Sequence, residues 1–168
     1  RVGVYHCVTV PTDPRGLPAL VVLAVIDRRS FPKLLYSEDG ADMALEEGHI
    51  APEFIASATG LLVSGTLLSQ ETTRRACHRA IALASLSATR VILDIDYRPV
   101  LWGLAGAGHG ESRFVSSAEV TAHFAPLLPA CGLIVGTEEE IRIAGGKDDT
   151  LAALTNIRRQ SSALIVLK

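Results

Sequence analysis

Residues 91–102, "VILDIDYRPVLW", begin as a buried strand and end in charged side chains. The opening "VIL" is apolar and largely β-branched, which favours a strand inside a sheet. Asp94, Asp96, Tyr97 and Arg98 then bring polar groups to the end of that strand, and Pro99 stops it. An apolar strand that ends in charges predicts a parallel sheet whose carboxyl edge carries a ligand site.

The rest of the chain supplies further predicted strands, which lie at 19–26, 33–37, 60–65, 132–136 and 163–167, while the quoted strand is predicted over 90–97. The first two are joined by the polar turn "DRRSFP", which predicts a β-hairpin near the N-terminus. The later ones are short apolar runs without alternation. This pattern indicates a mainly parallel sheet that is covered on both faces.

Helix signals separate the later strands. Pro52 suits the first position of a helix over 52–58, and Ser69 is a candidate N-cap for a helix over 69–87. "SSAE" (116–119) has the spacing of a capping box and opens a helix that Pro126 ends or kinks. A second box, "TEEE" (137–140), opens another helix, and a last helix covers 149–160. Alternating strands and helices predict an α/β domain flanked by helices.

Composition excludes several classes of protein. The 168 residues are about one domain in length, and no apolar run approaches the roughly 20 residues that span a bilayer. The net charge is −2 and the basic residues are scattered, so neither a nucleic-acid partner nor a membrane surface is expected. Three cysteines at distant positions fit a reducing cytoplasm better than a disulfide framework.

Three segments are predicted to meet at the carboxyl edge of the sheet: 64–66, 94–98 and 136–140. Arg98 could form a structural ion pair with Asp94 or Asp96, or it could bind a carboxylate or phosphate. Glu140 could complete a capping box with Thr137, or it could hold a hydrated Mg²⁺ ion. The residues alone leave both pairs of alternatives open.

Other motifs carry weaker signals. The segment "GLAGAGHGES" (103–112) is glycine-rich, but several residues including Pro99 separate it from the preceding strand, so a surface loop is favoured over a nucleotide loop. The five histidines have no metal-ligand spacing with one another or with cysteine. No serine-nucleophile elbow is present either, because "LVSGT" lacks its first glycine.

Read together, four segments resemble a bacterial sugar kinase: "ADMAL" (41–45), "DIDYRPVLWGLAG" (94–106), "VGTEEEIRIAGG" (135–146) and "DTLAALTNIR" (149–158). In this order they are similar to the ribokinase-like, type B phosphofructokinase superfamily. Within it, they are most similar to the group that acts on a keto-deoxy sugar acid in myo-inositol catabolism. The resemblance covers nearly the whole chain and implies a ribokinase-like α/β fold.

The resemblance implies transfer of the ATP γ-phosphoryl group to a sugar hydroxyl, with Mg²⁺ bridging the phosphates. Arg98 matches a family arginine near the substrate and the transferred phosphate, and Asp96 shapes the same strand end and is expected to contact substrate. Thr137 and Glu140 fall on the family's N-x-x-E motif, with threonine in place of asparagine. Glu140 would therefore contact Mg²⁺ indirectly, through water.

The predicted hairpin is expected to line the sugar side of the site. Tyr36 matches a substrate-facing aromatic residue of the family. Ser37 stands where relatives usually carry arginine, so this sequence departs from the pattern that recognises an acid substrate.

The family's N-terminal glycine-rich substrate segment and its C-terminal G-A-G-D motif, which holds the general base, are not in these residues. We therefore expect residues 1–168 to be the central part of one kinase domain, inactive alone, in a protein that could form a homodimer. Three alternatives are a 2-keto-3-deoxygluconate kinase, a fructokinase, and a non-catalytic α/β binding or assembly module.

Overall fold

The computed structural model describes residues 20–23, 33–36, 41–105 and 114–168. The strands are β1 (Leu20–Leu23), β2 (Lys33–Tyr36), β3 (Gly60–Ser64), β4 (Arg90–Asp94), β5 (Cys131–Gly136) and β6 (Leu164–Leu167). The α-helices are α1 (Pro52–Ser57), α2 (Glu71–Ser85), α3 (Ala118–Phe124), α4 (Glu138–Gly145) and α5 (Thr150–Gln160). Short 3₁₀ helices occupy Ala41–Ala44, Glu47–His49, Gly65–Leu68, Pro99–Trp102 and Leu128–Ala130.

The sheet has the predicted parallel arrangement. Strands β3, β4, β5 and β6 pair in that order, and every neighbouring pair is parallel. Strands β1 and β2 pair antiparallel, with Leu20 opposite Tyr36, as the predicted hairpin requires. The α/β class and the antiparallel pairing of the hairpin strands are therefore confirmed, while the turn between them lies outside the described residues.

One face of the parallel sheet forms the core. A row of aligned residues, Val63, Leu93 and Ile134, is at most 3% exposed. This row belongs to one apolar cluster with buried residues of α2, α3, α4 and α5, among them Ala80 and Phe124. Burial of this face supplies most of the apolar area that stabilises the fold.

The opposite face of the sheet is partly exposed in the described residues, whereas the sequence predicted that helices cover both faces. The adjacent row, Leu62, Ile92, Leu133 and Leu164, is apolar, yet Leu62 and Leu164 are each 66% exposed. The strand order explains why. When each successive strand is added on the same side, right-handed crossovers place all the connecting helices on the same face. The described residues thus cover one face of the sheet and not both.

Two predicted helix starts are wrong by one or two residues. Helix α2 follows Gln70, which makes no side-chain cap, because the Ser69 hydroxyl instead donates to the Thr66 carbonyl across the preceding 3₁₀ turn, at 2.8 Å. In α3 the cap is Ser117 and not Ser116, since the Ser117 hydroxyl accepts from the Val120 N–H. Pro52 in α1 and the Thr137 box in α4 are confirmed.

Strand β4 is also shorter than predicted. It ends at Asp94, although the Ile95 N–H still donates to the Val135 carbonyl at 2.9 Å. Asp96 has a φ of 32°, which ends the extended backbone. None of the helices in the described residues is long and apolar enough to cross a membrane.

Candidate functional site

The carboxyl ends of the strands converge as the sequence predicted. Ser64 at the end of β3 is opposite Asp94 at the end of β4, which is opposite Val135 in β5. Gly136 is opposite Leu167, and the Lys168 N–H donates to the Gly136 carbonyl at 3.0 Å. The carboxyl ends of four neighbouring strands therefore lie along one edge.

Asp96 is the centre of a hydrogen-bonded cluster at this edge. Its Oδ2 lies 2.8 Å from the Thr66 hydroxyl and 3.2 Å from the Ser64 hydroxyl. Its Oδ1 lies 2.8 Å from Nη2 of Arg98. The Thr66 hydroxyl is also 3.1 Å from the Asp96 carbonyl oxygen, so it contacts both the backbone and the side chain of this residue.

The ion pair that the sequence left open is formed, and Asp96 is the partner of Arg98. The Arg98 side chain is still 50% exposed, against 29% for that of Asp96, so much of the guanidinium faces solvent. An arginine with solvent-facing N–H groups can pair with a carboxylate or phosphate in bidentate geometry. Ligand contact by Arg98 stays a prediction.

Asp94 pairs with a different cation. Its Oδ1 lies 2.9 Å from Nζ of Lys168. The hydrogen bond to Asp94 raises the pKa of Lys168, although desolvation opposes this, and the charges of Asp94, Glu140 and Asp96 raise it further. Lys168 is therefore a protonated amine that interacts with three carboxylates from two segments of this edge, 94–98 and 136–140.

Thr137 and Glu140 form the predicted capping box at the start of α4. The Thr137 N–H donates to Oε2 of Glu140 at 2.7 Å, and the Glu140 N–H donates to the Thr137 hydroxyl at 3.4 Å. Gly136 brings this box against the end of β4, because a Cβ there would lie 2.9 Å from Cδ1 of Ile95 and 3.2 Å from Cβ of Glu140. The capping role is confirmed, and a role in binding Mg²⁺ stays a prediction.

The segment that carries Arg98 is anchored on both sides. Tyr97 is 3% exposed, and its hydroxyl donates to the Val115 carbonyl at 2.9 Å. Burial raises the pKa of Tyr97 to about 12, so it stays protonated at neutral pH. The Trp102 ring stacks on His123 with 5.5 Å between ring centroids. Burial and the charge of Arg74 lower the pKa of His123, despite the opposing charge of Glu119.

Some predicted features lie outside the described residues. The backbone of Tyr36 pairs in β2, but its side chain, Ser37 and residues 106–113 are outside the described part. Within the described part, no group of three or more His, Cys, Asp or Glu side chains is arranged to hold a metal ion. A Mg²⁺ ion at Glu140 would therefore have to keep several water ligands, as this ion usually does.

A polar depression lies away from these residues, between the turn at 46–48 and the start of α2. Its lining includes Glu47 and Arg75, which form an exposed ion pair. None of the residues that the sequence predicted for the site lines it.

Known proteins share both the sequence and the fold. A 5-dehydro-2-deoxygluconokinase of Bacillus velezensis is 33% identical over 141 residues, which is 80% of this chain and 38% of the relative. This chain is a homologue of the 5-dehydro-2-deoxygluconokinases and has the ribokinase-like fold. It spans less than two fifths of the length of this curated kinase. A scan against protein-family models finds no match.

Solved structures of sugar kinases have the same fold. A PfkB protein from Polaromonas superposes with a TM-score of 0.71 at 18% identity, over 89% of this chain and 47% of that one. A fructokinase from Xylella fastidiosa superposes with a TM-score of 0.69 at 14% identity, over 92% of this chain and 47% of that one. A putative ribokinase II from E. coli, in complex with ATP and Mg²⁺, superposes with a TM-score of 0.70 at 11% identity, over 89% of this chain and 44% of that one.

For this kinase homologue, the sequence predicted neither Lys168 at the edge nor the partner of Ser64 and Thr66. Ser64 and Thr66 lay in a segment that the strand-end rule had indicated, but their partner, Asp96, is 32 and 30 residues away. Lys168 had no signal, since Asp94 is 74 residues away from it. Such pairs follow from the order of strands in the sheet and not from local spacing.

Proposed function

We propose that this chain is the central part of an ATP-dependent carbohydrate kinase that transfers the γ-phosphate to 5-dehydro-2-deoxygluconate. The observation that carries the proposal is the 33% identity to a kinase of that name over most of the chain. The edge where Arg98, Asp96 and Glu140 converge supports it, because phosphoryl transfer depends on placing cations and metal ligands around the reacting phosphate.

The proposed roles follow from the chemistry of each side chain. Arg98 binds the sugar acid and the transferred phosphate with the exposed part of its guanidinium. Glu140 orients Mg²⁺ through bound water, and Thr137 holds Glu140 in place. Tyr36 lines the sugar side. Mg²⁺, when bound with ATP, supplies neutralisation of the phosphate charge.

The general base is proposed to lie outside residues 1–168. In the described residues, both aspartates of the segment that carries Arg98 are already paired: Asp96 with Arg98 itself and Asp94 with Lys168. Residues 1–168 alone should therefore bind phosphate-bearing ligands weakly and not turn over. In the complete gene product we expect a cytoplasmic enzyme that needs no nucleic acid or membrane partner, and homodimerisation belongs to the same proposal.

The test is a kinase assay of the complete gene product against three substrates, 5-dehydro-2-deoxygluconate, 2-keto-3-deoxygluconate and fructose, with ATP and Mg²⁺. We expect the highest kcat/KM with the first. Arg98→Ala should lower kcat roughly a hundredfold or more, the effect of removing one group that stabilises developing charge. Arg98→Lys keeps the charge but loses the planar guanidinium, so its kcat should lie between that of the unmodified protein and that of Arg98→Ala.

The alternatives give different results in the same assay. Preference for fructose would favour a fructokinase, the activity named for the Xylella structure that shares the fold. Preference for 2-keto-3-deoxygluconate would favour a 2-keto-3-deoxygluconate kinase. No phosphorylation of any of these sugars by the complete gene product would contradict the proposal and favour a non-catalytic binding module.

A further inference from the structure

The hydroxyl groups at the end of β3 have no role in the proposed function so far. Ser64 is the last residue of β3 and Thr66 lies in the turn that follows it, and both hydroxyls point at Asp96 of the neighbouring strand end. Both hydroxyls lie within hydrogen-bond distance of the same carboxylate oxygen, at 3.2 and 2.8 Å. This arrangement links two chain segments that the sequence separates by about 30 residues.

The two oxygens of the Asp96 carboxylate have different partners. Oδ2 accepts from the hydroxyls, while Oδ1 faces Nη2 of Arg98 at 2.8 Å. A carboxylate that is held at one oxygen presents the other in a fixed direction, so the arginine that it pairs with is fixed as well. Asp96 is thus placed to orient Arg98, and the substrate contact that the resemblance implies for Asp96 stays a prediction.

Backbone packing fixes the hydroxyls in turn. A Cβ on Gly65 would lie 2.0 Å from the carbonyl oxygen of Ile95 and 2.7 Å from the Phe124 ring. The turn at 64–66 is therefore pressed directly against the backbone that leads into Asp96. Thr66 contacts the Asp96 carbonyl oxygen at 3.1 Å as well, so its hydroxyl lies against an aspartate whose φ is 32°.

We propose that Thr66, assisted by Ser64, is a positioning residue that sets the orientation of Arg98 through Asp96. This inference rests on the proposed function, since it assumes that Arg98 binds the transferred phosphate. The chain of contacts runs from a rigid strand end to a hydroxyl, a carboxylate and a guanidinium. A small misplacement of such a group is costly in phosphoryl transfer, because the protein contributes mainly by positioning.

The kinetic test compares matched substitutions of one hydroxyl in the complete gene product. Thr66→Val keeps the shape and removes the donor, and it should lower kcat roughly tenfold to a hundredfold. Thr66→Ser restores the hydroxyl and should stay within about threefold of the unmodified protein. Thr155→Val, on α5, is the control, because the hydroxyl there donates to the Leu151 carbonyl of its own helix.

A double-mutant cycle separates positioning from general destabilisation. If Thr66 acts through Arg98, Thr66→Val should have little further effect on kcat in a protein that already carries Arg98→Ala. An equal loss in both backgrounds would overturn the proposal, and so would a Thr66→Ser variant as impaired as Thr66→Val.

A measurement that needs no turnover tests the positioning role of Thr66 separately from the proposed kinase function. In ¹⁵N-arginine-labelled protein, the Arg98 guanidinium resonance, assigned with Arg98→Lys, should shift in Thr66→Val and not in Thr155→Val. An unchanged resonance in Thr66→Val would overturn the positioning role even in an active kinase. A shifted resonance in a protein without kinase activity would uphold the contact and reject the proposed function.

Discussion

Glu140 has a structural role and a proposed functional role, and one substitution separates them. Glu140→Gln keeps an oxygen that can accept from the Thr137 N–H but removes the charge. We expect the free energy of unfolding to change by less than about 1 kcal/mol, the usual range for a cap that is kept in weaker form. In the complete gene product, the Mg²⁺ concentration for half-maximal activity should rise clearly.

The control is Glu138→Gln, which removes an exposed carboxylate from the same first turn of α4. Both substitutions reduce the favourable interaction with the helix dipole by a similar amount. Titration of Mg²⁺ in both variants distinguishes the two explanations. If the Mg²⁺ concentration for half-maximal activity rises equally in both variants, the effect comes from the helix dipole, and a metal-binding role of Glu140 is contradicted.

At the residue scale, the sequence predicted what is local and missed what is distant. The box at Thr137 and Glu140 was found because its two members are three residues apart on one helical turn. The pair of Arg98 with Asp96 was among the stated alternatives because the two residues are close in the sequence. The partners of Thr66 and Lys168 depend on which strands are neighbours, and no local pattern encodes that order.

Gly65 determines how the first strand end meets the second. A side chain there would meet the Ile95 carbonyl, which is backbone and cannot move without shifting β4. We expect Gly65→Ala to lower the free energy of unfolding by about 1–3 kcal/mol, as overpacking of a filled site does. It should also displace Thr66 from Asp96 and lower kinase activity in the complete gene product.

Gly48 provides the matched control, because an added Cβ there meets nothing within 4 Å. Gly48→Ala should leave the free energy of unfolding nearly unchanged, or raise it slightly by restricting the unfolded chain. Urea denaturation of both variants measures the difference. Equal stability of the two would show that the strand ends do not pack as closely as the structure indicates.

Element types were predicted better than element ends. The apolar runs gave the strands of the parallel sheet, since buried strands need continuous apolar residues. The ends of β5 and β6 were correct, but that of β3 was placed one residue too far out and that of β4 three residues too far out, because the left-handed backbone of Asp96 ends β4. The start of α2 shifted because the Ser69 hydroxyl bonds the preceding turn in preference to the helix.

In the described residues, helices cover one face of the parallel sheet, and the other face is apolar. The strand order β3-β4-β5-β6 places the crossover helices together, and they bury the row through Leu93. The alternate row is equally apolar in sequence, although Leu62 and Leu164 at its ends are largely exposed. Apolar residues on both faces are typical of strands in a doubly covered sheet, so this composition suits a face that a further layer would bury.

The proposed place of this chain inside a longer kinase domain predicts opposite effects of one double substitution. In residues 1–168 alone, Leu62→Thr with Leu164→Thr should reduce self-association and the binding of a hydrophobic dye, because it removes exposed apolar surface. In the complete gene product, the same pair should lower the free energy of unfolding by about 2 kcal/mol or more, since it would remove buried apolar groups.

Leu86→Thr is the control for both proteins, because Leu86 is 86% exposed in the turn after α2 and lies off the sheet. It should lower dye binding slightly in residues 1–168 and leave the unfolding free energy of the complete gene product within about 0.5 kcal/mol. Urea denaturation and light scattering supply the two measurements. If the double substitution does not destabilise the complete gene product, the second face of the sheet is not covered there, and the placement of this chain at the centre of a doubly covered kinase domain is wrong.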